Sequence, residues 1–262
     1  MRSKLVLNFL KFPCNIRFRL HKIGYETMSH KRLVNKDYSK IIKLVEFISS
    51  EHILFTKKFF QSQNNTPSLK NKQIRHFLHG SMEDNNVEIK IDFLSYILEY
   101  IDEISEYYTF ELLMKLLEQN ISIEHIREKN KDSIVSKIFH YRFGKDEVGR
   151  LATNKCLNDL LGFRIYIDEI TDYEILKDDL MRIIGTKDSN NNRLKYYNAC
   201  KNEYNAVHIY FDGINNSYFP WELQIWGENH IQTNLDSHKE HKLGYLEWKN
   251  FATDDIIEIV ER

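Results

Sequence analysis

The sequence predicts an α+β fold, in which a mixed β-sheet is flanked by helices and preceded by a helical N-terminal region. Two runs, Glu203–Phe211 and Tyr218–Trp226, alternate apolar and polar residues, as strands with two unlike faces do. Stretches on either side of them have apolar residues at helical spacing. The predicted order after residue 120 is helix, strand, helix, two strands and helix, which is typical of a sheet covered by helices.

Composition sets the broad class. The chain has 262 residues, of which 42% are hydrophobic, enough for one large or two small domains. Its net charge of -1 gives no sign of a generally basic nucleic-acid binder, and no apolar run is as long as a membrane span. Cys14, Cys156 and Cys200 are widely spaced and odd in number, which favours a reducing compartment over a disulfide framework. We therefore expect a cytoplasmic protein with no membrane partner.

Residues 1–120 are predicted to form a mainly helical region of unknown role. Residues 1–32 carry eight Lys and Arg against the single acid Glu26, and Met28 is an alternative start of the chain. The helices expected in this region are Lys36–Gln61, a short one at Gln73–His79, and a long one from Val87 to Gln119 that breaks near Tyr107–Thr109.

Residues 121–262 are predicted to form the sheet-containing domain. Ser122–His125 reads as a helix start, and Ser133–Phe143 as a helix capped by Asp132 or Asn130. The remaining elements are a turn or short helix at Lys155–Leu161, a strand at Phe163–Asp168, a helix at Asp172–Ile184 ended by Gly185, a polar loop at Lys187–Asn192, a helix at Glu228–Trp248, and a strand or short helix at Asp254–Val260.

Alternation in the two central strands separates a core face from a polar face. In the second strand Trp221, Leu223 and Ile225 share one face, and Glu222, Gln224 and Trp226 share the other. In the first strand the polar face holds Tyr204, Ala206, His208 and Tyr210. A turn-rich segment at 212–217 joins the two runs, so a hairpin is expected. This face is either a functional site or an ordinary solvent face.

Two further segments carry charges that suit a nucleotide. Between Arg127 and Lys137 several cations precede and enter a helix, where backbone N–H groups and Lys or Arg together favour a polyphosphate. Asp159 stands before Gly162 and Arg164 at a strand entrance, where a carboxylate suits Mg²⁺ and a glycine allows a tight turn. The plainer alternatives are a solvated basic stretch, a helix cap and a surface arginine.

These segments together resemble the synthetase domain of the RelA/SpoT family of nucleotide pyrophosphokinases, over about residues 122–248. The family pattern is matched, in chain order, at Arg127, Lys129, Ser133, Ile134, Lys137, Asp159, Gly162, Arg164, Lys195, Tyr197, Lys201, Tyr204, His208, Glu222 and Gln224. Each match alone is weak, but their joint order and spacing are specific. The resemblance implies a nucleotidyltransferase-like sheet.

The resemblance also implies a reaction and roles. ATP would give its β,γ-diphosphate to the 3′-hydroxyl of GDP or GTP, which makes the stringent-response alarmone (p)ppGpp. ATP would be held by Arg127, Lys129, Ser133, Lys137 and Arg164, and Mg²⁺ by Asp159 and Glu222. Catalysis would rest on Glu222, Arg164 and Lys137, with Glu222 as the base that takes the hydroxyl proton. The acceptor would be bound by Lys195, Lys201, Tyr204, His208 and Gln224, with the ring of Tyr204 stacked on its base.

The departures from the pattern keep alternatives open. Glu203, Asn205, Trp226 and Tyr196 stand where the family has Gly, Arg, Arg and Asp, so the predicted acceptor half lacks two cations. A toxin of the same family, which pyrophosphorylates the 3′ end of tRNA and is restrained by an antitoxin protein, fits this loss. A degenerate domain that binds a nucleotide or partner without chemistry fits it as well.

Histidines outside these motifs are predicted to have no metal role. His76 and His79, and His238 and His241, have helical spacing without a third ligand in sight, so we expect surface histidines. No His-Asp dipeptide occurs in the sequence, so the metal-dependent hydrolase half of the family is not expected.

Overall fold

The computed structural model describes residues 35–81, 86–145, 148–168, 170–246 and 257–260. All of them belong to one compact unit, Lys31–Arg262. The basic segment 1–32, the alternative start at Met28, and Trp248 lie outside the described residues.

Seven α-helices and eight strands are found in the described part of the chain. The helices are α1 (Asn35–Ser62), α2 (Ile91–Tyr107), α3 (Leu113–Glu118), α4 (Lys131–Phe143), α5 (Thr153–Cys156), α6 (Tyr173–Ile184) and α7 (Ile231–Leu246). The strands are β1 (Leu78–Ser81), β2 (Asn86–Lys90), β3 (His125–Glu128), β4 (Leu161–Ile167), β5 (Leu194–Asn198), β6 (Val207–Phe211), β7 (Trp221–Gly227) and β8 (Ile257–Val260).

The larger sheet is mixed and has five strands in the order β3-β4-β7-β6-β5. Strand β4 runs parallel to β7, and the other neighbours are antiparallel. A smaller sheet has the order β1-β2-β8. The predicted α+β class with helices around a mixed sheet is confirmed.

One face of the larger sheet is covered by helices and carries the core. Aromatic side chains of α1 and α2 meet those of β7: the ring centroids of Phe55 and Trp221 are 5.9 Å apart, and Trp221 Nε1 donates to the Tyr100 hydroxyl at 2.9 Å. Helix α6 contacts β5 and β6. The helices before residue 120 and the sheet therefore share one hydrophobic core. The division of the chain into domains at residue 120 stays a prediction.

Several predicted elements are confirmed with their boundaries. Helix α1 matches Lys36–Gln61, and α4 begins after Asn130, whose side chain accepts from Ser133 N at 2.8 Å. Helix α6 is capped by Asp172 and ends at Gly185, which has φ +89. The two alternating runs form the antiparallel pair β6 and β7, but the strands begin only at Val207 and Trp221, later than predicted. The C-terminal run forms β8. None of the helices in the described residues is both long and apolar enough to span a bilayer.

Other predictions of local structure are wrong. Residues 86–90 form a strand because they pair with β1, so the long helix begins only at Ile91. By contrast, the predicted break near Tyr107 is confirmed, because a π-helical turn, Tyr108–Leu112, lies between α2 and α3. The predicted helix start near residue 125 is strand β3, which pairs with β4. The short helix at Gln73–His79 shrinks to the 3₁₀ turn Ile74–His76, and the edge strand β5 was not predicted.

Candidate active site

Strand register gathers the polar residues into two rows across the sheet. The first row, in strand order from β3 to β5, is Arg127, Gly162, Glu222, Tyr210 and Lys195. The second row, displaced by two residues on every strand, is His125, Arg164, Gln224, His208 and Tyr197. Side chains two residues apart share a face, so both rows lie on the face opposite the core.

A cavity of about 370 Å³ lies over the β3–β4–β7 side of this face. The beginning of α4 and one residue of α7, His238, form its other walls. Its basic lining residues are Arg127, Lys129, Lys137 and Arg164. Its acidic lining residues are Glu128, Asp132, Asp159 and Glu222. Cations and carboxylates are therefore balanced within one concave site.

Asp159 joins the two lysines of the cavity. Its Oδ2 accepts from Lys129 Nζ at 2.6 Å, and its Oδ1 accepts from Lys137 Nζ at 3.0 Å. Burial alone would raise the pKa of Asp159, but the charges of Lys137 and Lys129 outweigh it and hold that pKa well below its ordinary value. Burial lowers the pKa of Lys129 to about 8, although the charge of Asp159 acts against that change.

Arg164 is held by three neighbours, of which the Tyr166 hydroxyl accepts a hydrogen bond from the guanidinium. Its Nε and Nη2 donate to Gln224 Oε1 at 3.1 and 2.9 Å, and its Cζ lies 3.6 Å from the centre of the Trp226 ring. Burial lowers the pKa of Arg164 somewhat from its high ordinary value, and the group stays charged. Gln224 Nε2 also donates to Glu222 Oε2 at 2.8 Å, so one amide connects the arginine with the carboxylate.

Several neighbouring side chains fix the position of the Glu222 carboxylate. His208 Nδ1 lies 3.0 Å from Glu222 Oε1, and Nε2 of the same ring lies 2.7 Å from the Tyr204 hydroxyl. Burial would raise the pKa of Glu222, but the charge and hydrogen bond of His208 outweigh it and lower that pKa. The Tyr210 hydroxyl also hydrogen-bonds this carboxylate, and burial together with the nearby Glu222 raises the pKa of Tyr210. Glu222 is thus kept ionised and fixed in direction.

The beginning of α4 closes one side of the cavity. Asn130, Asp132, Ser133 and Ser136 line it, and the side chain of Asn130 already accepts from the Ser133 backbone. The helix adds partial positive charge at this end. Predicted residue Ser133 is therefore placed beside the cations, as the sequence suggested.

Four of the predicted acceptor residues lie outside the cavity lining. Lys195 pairs with Asp212 on the edge of the sheet, and Lys201 is exposed in a turn whose backbone pairs with Tyr204. Tyr204 and His208 lie behind Glu222 and hydrogen-bond each other. The ring of Tyr204 is perpendicular to that of His238, with the ring centroids 5.1 Å apart. Only Gln224 of the predicted acceptor set lines the cavity.

Three residues of the site carry no assigned role in the sequence reasoning: Tyr210, Trp226 and His238. Alternation did place Tyr210 and Trp226 on the polar face, which was their available signal. His238 was expected at the surface, whereas its ring stacks on Trp226 with centroids 5.4 Å apart and planes at 23°. Burial lowers the pKa of His238 to about 4, with nearby Arg164 adding to the effect. No local signal marks it, because the packing of α7 on the sheet is a tertiary contact.

The role predicted for Gly162 needs correction. It was expected to allow a tight turn, but it lies inside β4 and is not among the positive-φ glycines. A Cβ at this position would lie 3.9 Å from Glu222 Oε2 and 3.8 Å from the Arg127 carbonyl oxygen. The missing side chain leaves room in the cavity floor between Arg127 and Glu222.

The donor set fits Mg²⁺. Asp159 and Glu222 both line the cavity, and carboxylate oxygens are ligands that Mg²⁺ prefers. Among the described residues no group of three or more His, Cys, Asp or Glu could hold a metal ion. Two carboxylates still suffice for Mg²⁺, since it commonly completes its shell with water and substrate phosphates.

Two small alarmone synthetases are among the solved structures that are similar to this chain. Small alarmone synthetase 1 from Bacillus subtilis is 20% identical, with 60% of this chain and 78% of that chain covered, at a TM-score of 0.31. Small alarmone synthetase 2 from Bacillus subtilis is 19% identical, with 61% and 81% covered, at a TM-score of 0.30. Both are of the class that the motifs between Arg127 and Gln224 resemble. At these TM-scores and identities the likeness carries no argument about activity.

Two further comparisons found nothing: no family model matches the chain, and no curated protein matches it.

Proposed function

We propose that the protein is an ATP-dependent pyrophosphokinase, which transfers the β,γ-diphosphate of ATP to the 3′-hydroxyl of an acceptor, with GDP or GTP as the first candidate. The observation that carries the proposal is the convergence of Lys137, Arg164 and Glu222 on one cavity, from α4, β4 and β7. Charged groups of both signs around a concave site are what a triphosphate and its magnesium require.

The cations would bind the triphosphate and stabilise the charge that develops on it. Arg127, Lys129, Lys137 and Arg164 are aimed at one volume, and such preorganised charges are the largest usual source of rate enhancement. Lys129 and Lys137 now hold both oxygens of Asp159. They can release them only to another anion, and a bound triphosphate supplies one.

Mg²⁺ at Asp159 and Glu222 would neutralise charge on the phosphate oxygens. The lining itself supports this need: its four cations are matched by four carboxylates. A bare triphosphate would therefore meet as much repulsion as attraction.

Glu222 would act as the base for the attacking hydroxyl. The acceptor O3′ forms a bond to the β-phosphorus, and the bond from that phosphorus to the bridging oxygen of the α-phosphate breaks, so AMP leaves. The hydroxyl proton goes to the carboxylate of Glu222, which His208, Tyr210 and Gln224 keep ionised and oriented.

The positions of the cations favour a second candidate acceptor, the 3′ end of tRNA. The side of the polar face over β5 and β6 offers phenols and an imidazole, while Lys195 is engaged with Asp212 and lies outside the cavity lining. Asn205 and Trp226 also stand in place of two cations of the motif. An acceptor with no 5′-polyphosphate of its own, such as the 3′ end of tRNA, suits that surface, and an antitoxin would then be the partner.

The test is a transfer assay with γ-labelled ATP and Mg²⁺, run separately with GDP, GTP and deacylated tRNA. Label on GDP or GTP supports alarmone synthesis, and label on tRNA alone supports the toxin. Label on none of the three acceptors overturns the proposal. If ATP still binds in that case, the domain is a binding module without chemistry. Glu222→Gln is the matched control, which should bind ATP and transfer no label.

A further inference from the structure

Trp226 stands at the inner end of the site and is completely buried. It follows Gln224 on the polar face of β7, beside Tyr166 of β4 in the parallel register. The Cζ atom of Arg164 lies over the Trp226 ring, 3.6 Å from the ring centre. At this distance a guanidinium is attracted by the electron-rich face of an indole, and most strongly when water is excluded.

The indole itself is fixed by its neighbours. His238 stacks on it with centroids 5.4 Å apart, and Tyr204 meets it edge-on with centroids 5.9 Å apart. The Trp226 ring therefore cannot turn away from Arg164 without disturbing α7 or the turn that carries Tyr204.

The contact of Arg164 with Gln224 leaves part of the guanidinium available. Gln224 accepts one N–H from Nε and one from Nη2, which takes up one edge of the guanidinium. The ring of Trp226 takes one face. The Tyr166 hydroxyl accepts another hydrogen bond from the guanidinium. The N–H groups that are left belong to a side chain that lines the cavity, where an anion would meet them.

We infer that Trp226 is a positioning residue, which holds the guanidinium of Arg164 against its ring so that the remaining N–H groups are presented to a polyphosphate in the cavity. This inference rests on the proposed function for the identity of the ligand. An arginine that is already ordered loses less freedom on binding, so removal of the indole should weaken the affinity through Arg164 and through no contact of its own.

The experiment measures binding by calorimetry, with inorganic tripolyphosphate and with a non-transferable ATP analogue as probes. Trp226→Leu should weaken the binding of both probes by roughly threefold to thirtyfold, the range expected of a desolvated cation–π contact. Trp226→Phe keeps an aromatic face and should recover a large part of the loss. This conservative variant also keeps the test valid if the leucine variant folds poorly.

Two controls separate positioning from general stability. Trp221 is an equally buried tryptophan on the core face of the same strand, so Trp221→Phe should lower the melting temperature and leave tripolyphosphate affinity unchanged. In an Arg164→Ala background, Trp226→Leu should change the affinity by less than about twofold, because the residue it positions is gone.

The outcomes separate the two proposals. Equal losses from Trp226→Leu with and without Arg164, or an unchanged affinity in Trp226→Leu, overturn the positioning role alone. Tripolyphosphate binding that depends on Trp226, together with no transfer of label to any acceptor, keeps the positioning role and overturns the pyrophosphokinase. A wild-type protein that binds neither probe overturns both.

Discussion

Nδ1 of His208 lies 3.0 Å from Oε1 of Glu222, and the pair joins the neighbouring strands β6 and β7. Nε2 of the same ring lies 2.7 Å from the Tyr204 hydroxyl, so hydrogen bonds hold the imidazole at both nitrogens. The imidazole therefore connects Tyr204, which lies in a turn, with Glu222, the carboxylate proposed as the base. Its effect on the reaction should differ from that of the cations.

The first prediction concerns His208. Replacement His208→Ala should lower kcat by roughly 10- to 100-fold, because Glu222 loses the donor that orients it, and should leave the dissociation constant for ATP almost unchanged. His208→Asn can still present an N–H near the position of Nδ1 and should retain more activity. Steady-state kinetics and calorimetry measure the two effects. Equal activity of the wild type and both variants, or a loss confined to ATP affinity, would contradict this role.

The second prediction concerns Asp159, the counter-charge of two lysines. The side chains of Lys129 and Lys137 are only 9% and 10% exposed, so Asp159→Asn leaves two ammonium groups buried without compensation. We expect the free energy of unfolding to fall by about 3 kcal/mol in urea titrations. Asp102→Asn is the matched control: Asp102 pairs with Lys131 in the open, and its loss should cost less than about 1 kcal/mol. Equal losses of the free energy of unfolding in the two variants would show that the buried Asp159 stabilises the protein no more than the exposed Asp102 does.

The third prediction uses two glycines. Gly162→Ala should leave the free energy of unfolding within about 0.5 kcal/mol, since the new methyl makes only ordinary contacts, the nearest being 3.8 Å. The methyl occupies the cavity floor and should weaken ATP binding by roughly fivefold or more. Gly213→Ala should do the reverse, because Gly213 has φ +74 and its Cβ would lie 2.1 Å from the Tyr218 ring. Thermal melts and ATP titrations of both variants decide whether the space at Gly162 serves ligand binding.

The fourth prediction concerns pH and His52, a fully buried residue of α1. Its Nε2 lies 2.9 Å from the Phe219 carbonyl oxygen and its Nδ1 lies 3.2 Å from Asn192 Nδ2, which fits a neutral ring. Burial lowers the pKa of His52 to about 4, against 6.5 in the unfolded chain. The unfolded state therefore binds more protons below pH 6.5, and stability is lost as the pH falls from 6.5 towards 4.

Between pH 7 and pH 5 this residue alone should cost about 2 kcal/mol of the free energy of unfolding. His52→Gln can donate to Phe219 and accept from Asn192 without titrating, so its stability should fall less over the same range. Urea titrations at the two pH values measure both slopes. Parallel slopes for the wild type and the variant would exclude His52 as a source of acid sensitivity.

Much of the fold followed from periodicity, and the failures have a common physical cause. Strand β7 and helix α6 are long and strongly patterned, so their faces were predictable. Residues 86–90 have no breaker before the following helix and become a strand only because β1 pairs with them. Strand β3 likewise exists through its pairing with β4. Such partners are chosen in three dimensions, and local propensity does not contain them.

The candidate site was likewise predictable only where it depends on sequence patterns and not on tertiary packing. Strand alternation places Arg164 and Glu222 on polar faces of their strands, whereas helical Lys137 was assigned to the same site only because the motifs resemble the family pattern. The contact of Trp226 with Arg164 and the arrival of His238 from α7 depend on how a helix packs on the sheet. Lys195 pairs with Asp212 and Lys201 lies in a turn, which the motif did not indicate, and their role in binding an acceptor stays a prediction.

The parallel pairing of β4 with β7 has a consequence for protein synthesis. Arg127, Lys129, Lys137 and Arg164 are all translated before Glu222, and β4 waits for a partner that the ribosome adds only after α6, β5 and β6. An interrupted product that stops short of β7 would carry these four cations without the carboxylate opposite Gly162. On the proposed function, such a chain would lack the base and could transfer no diphosphate.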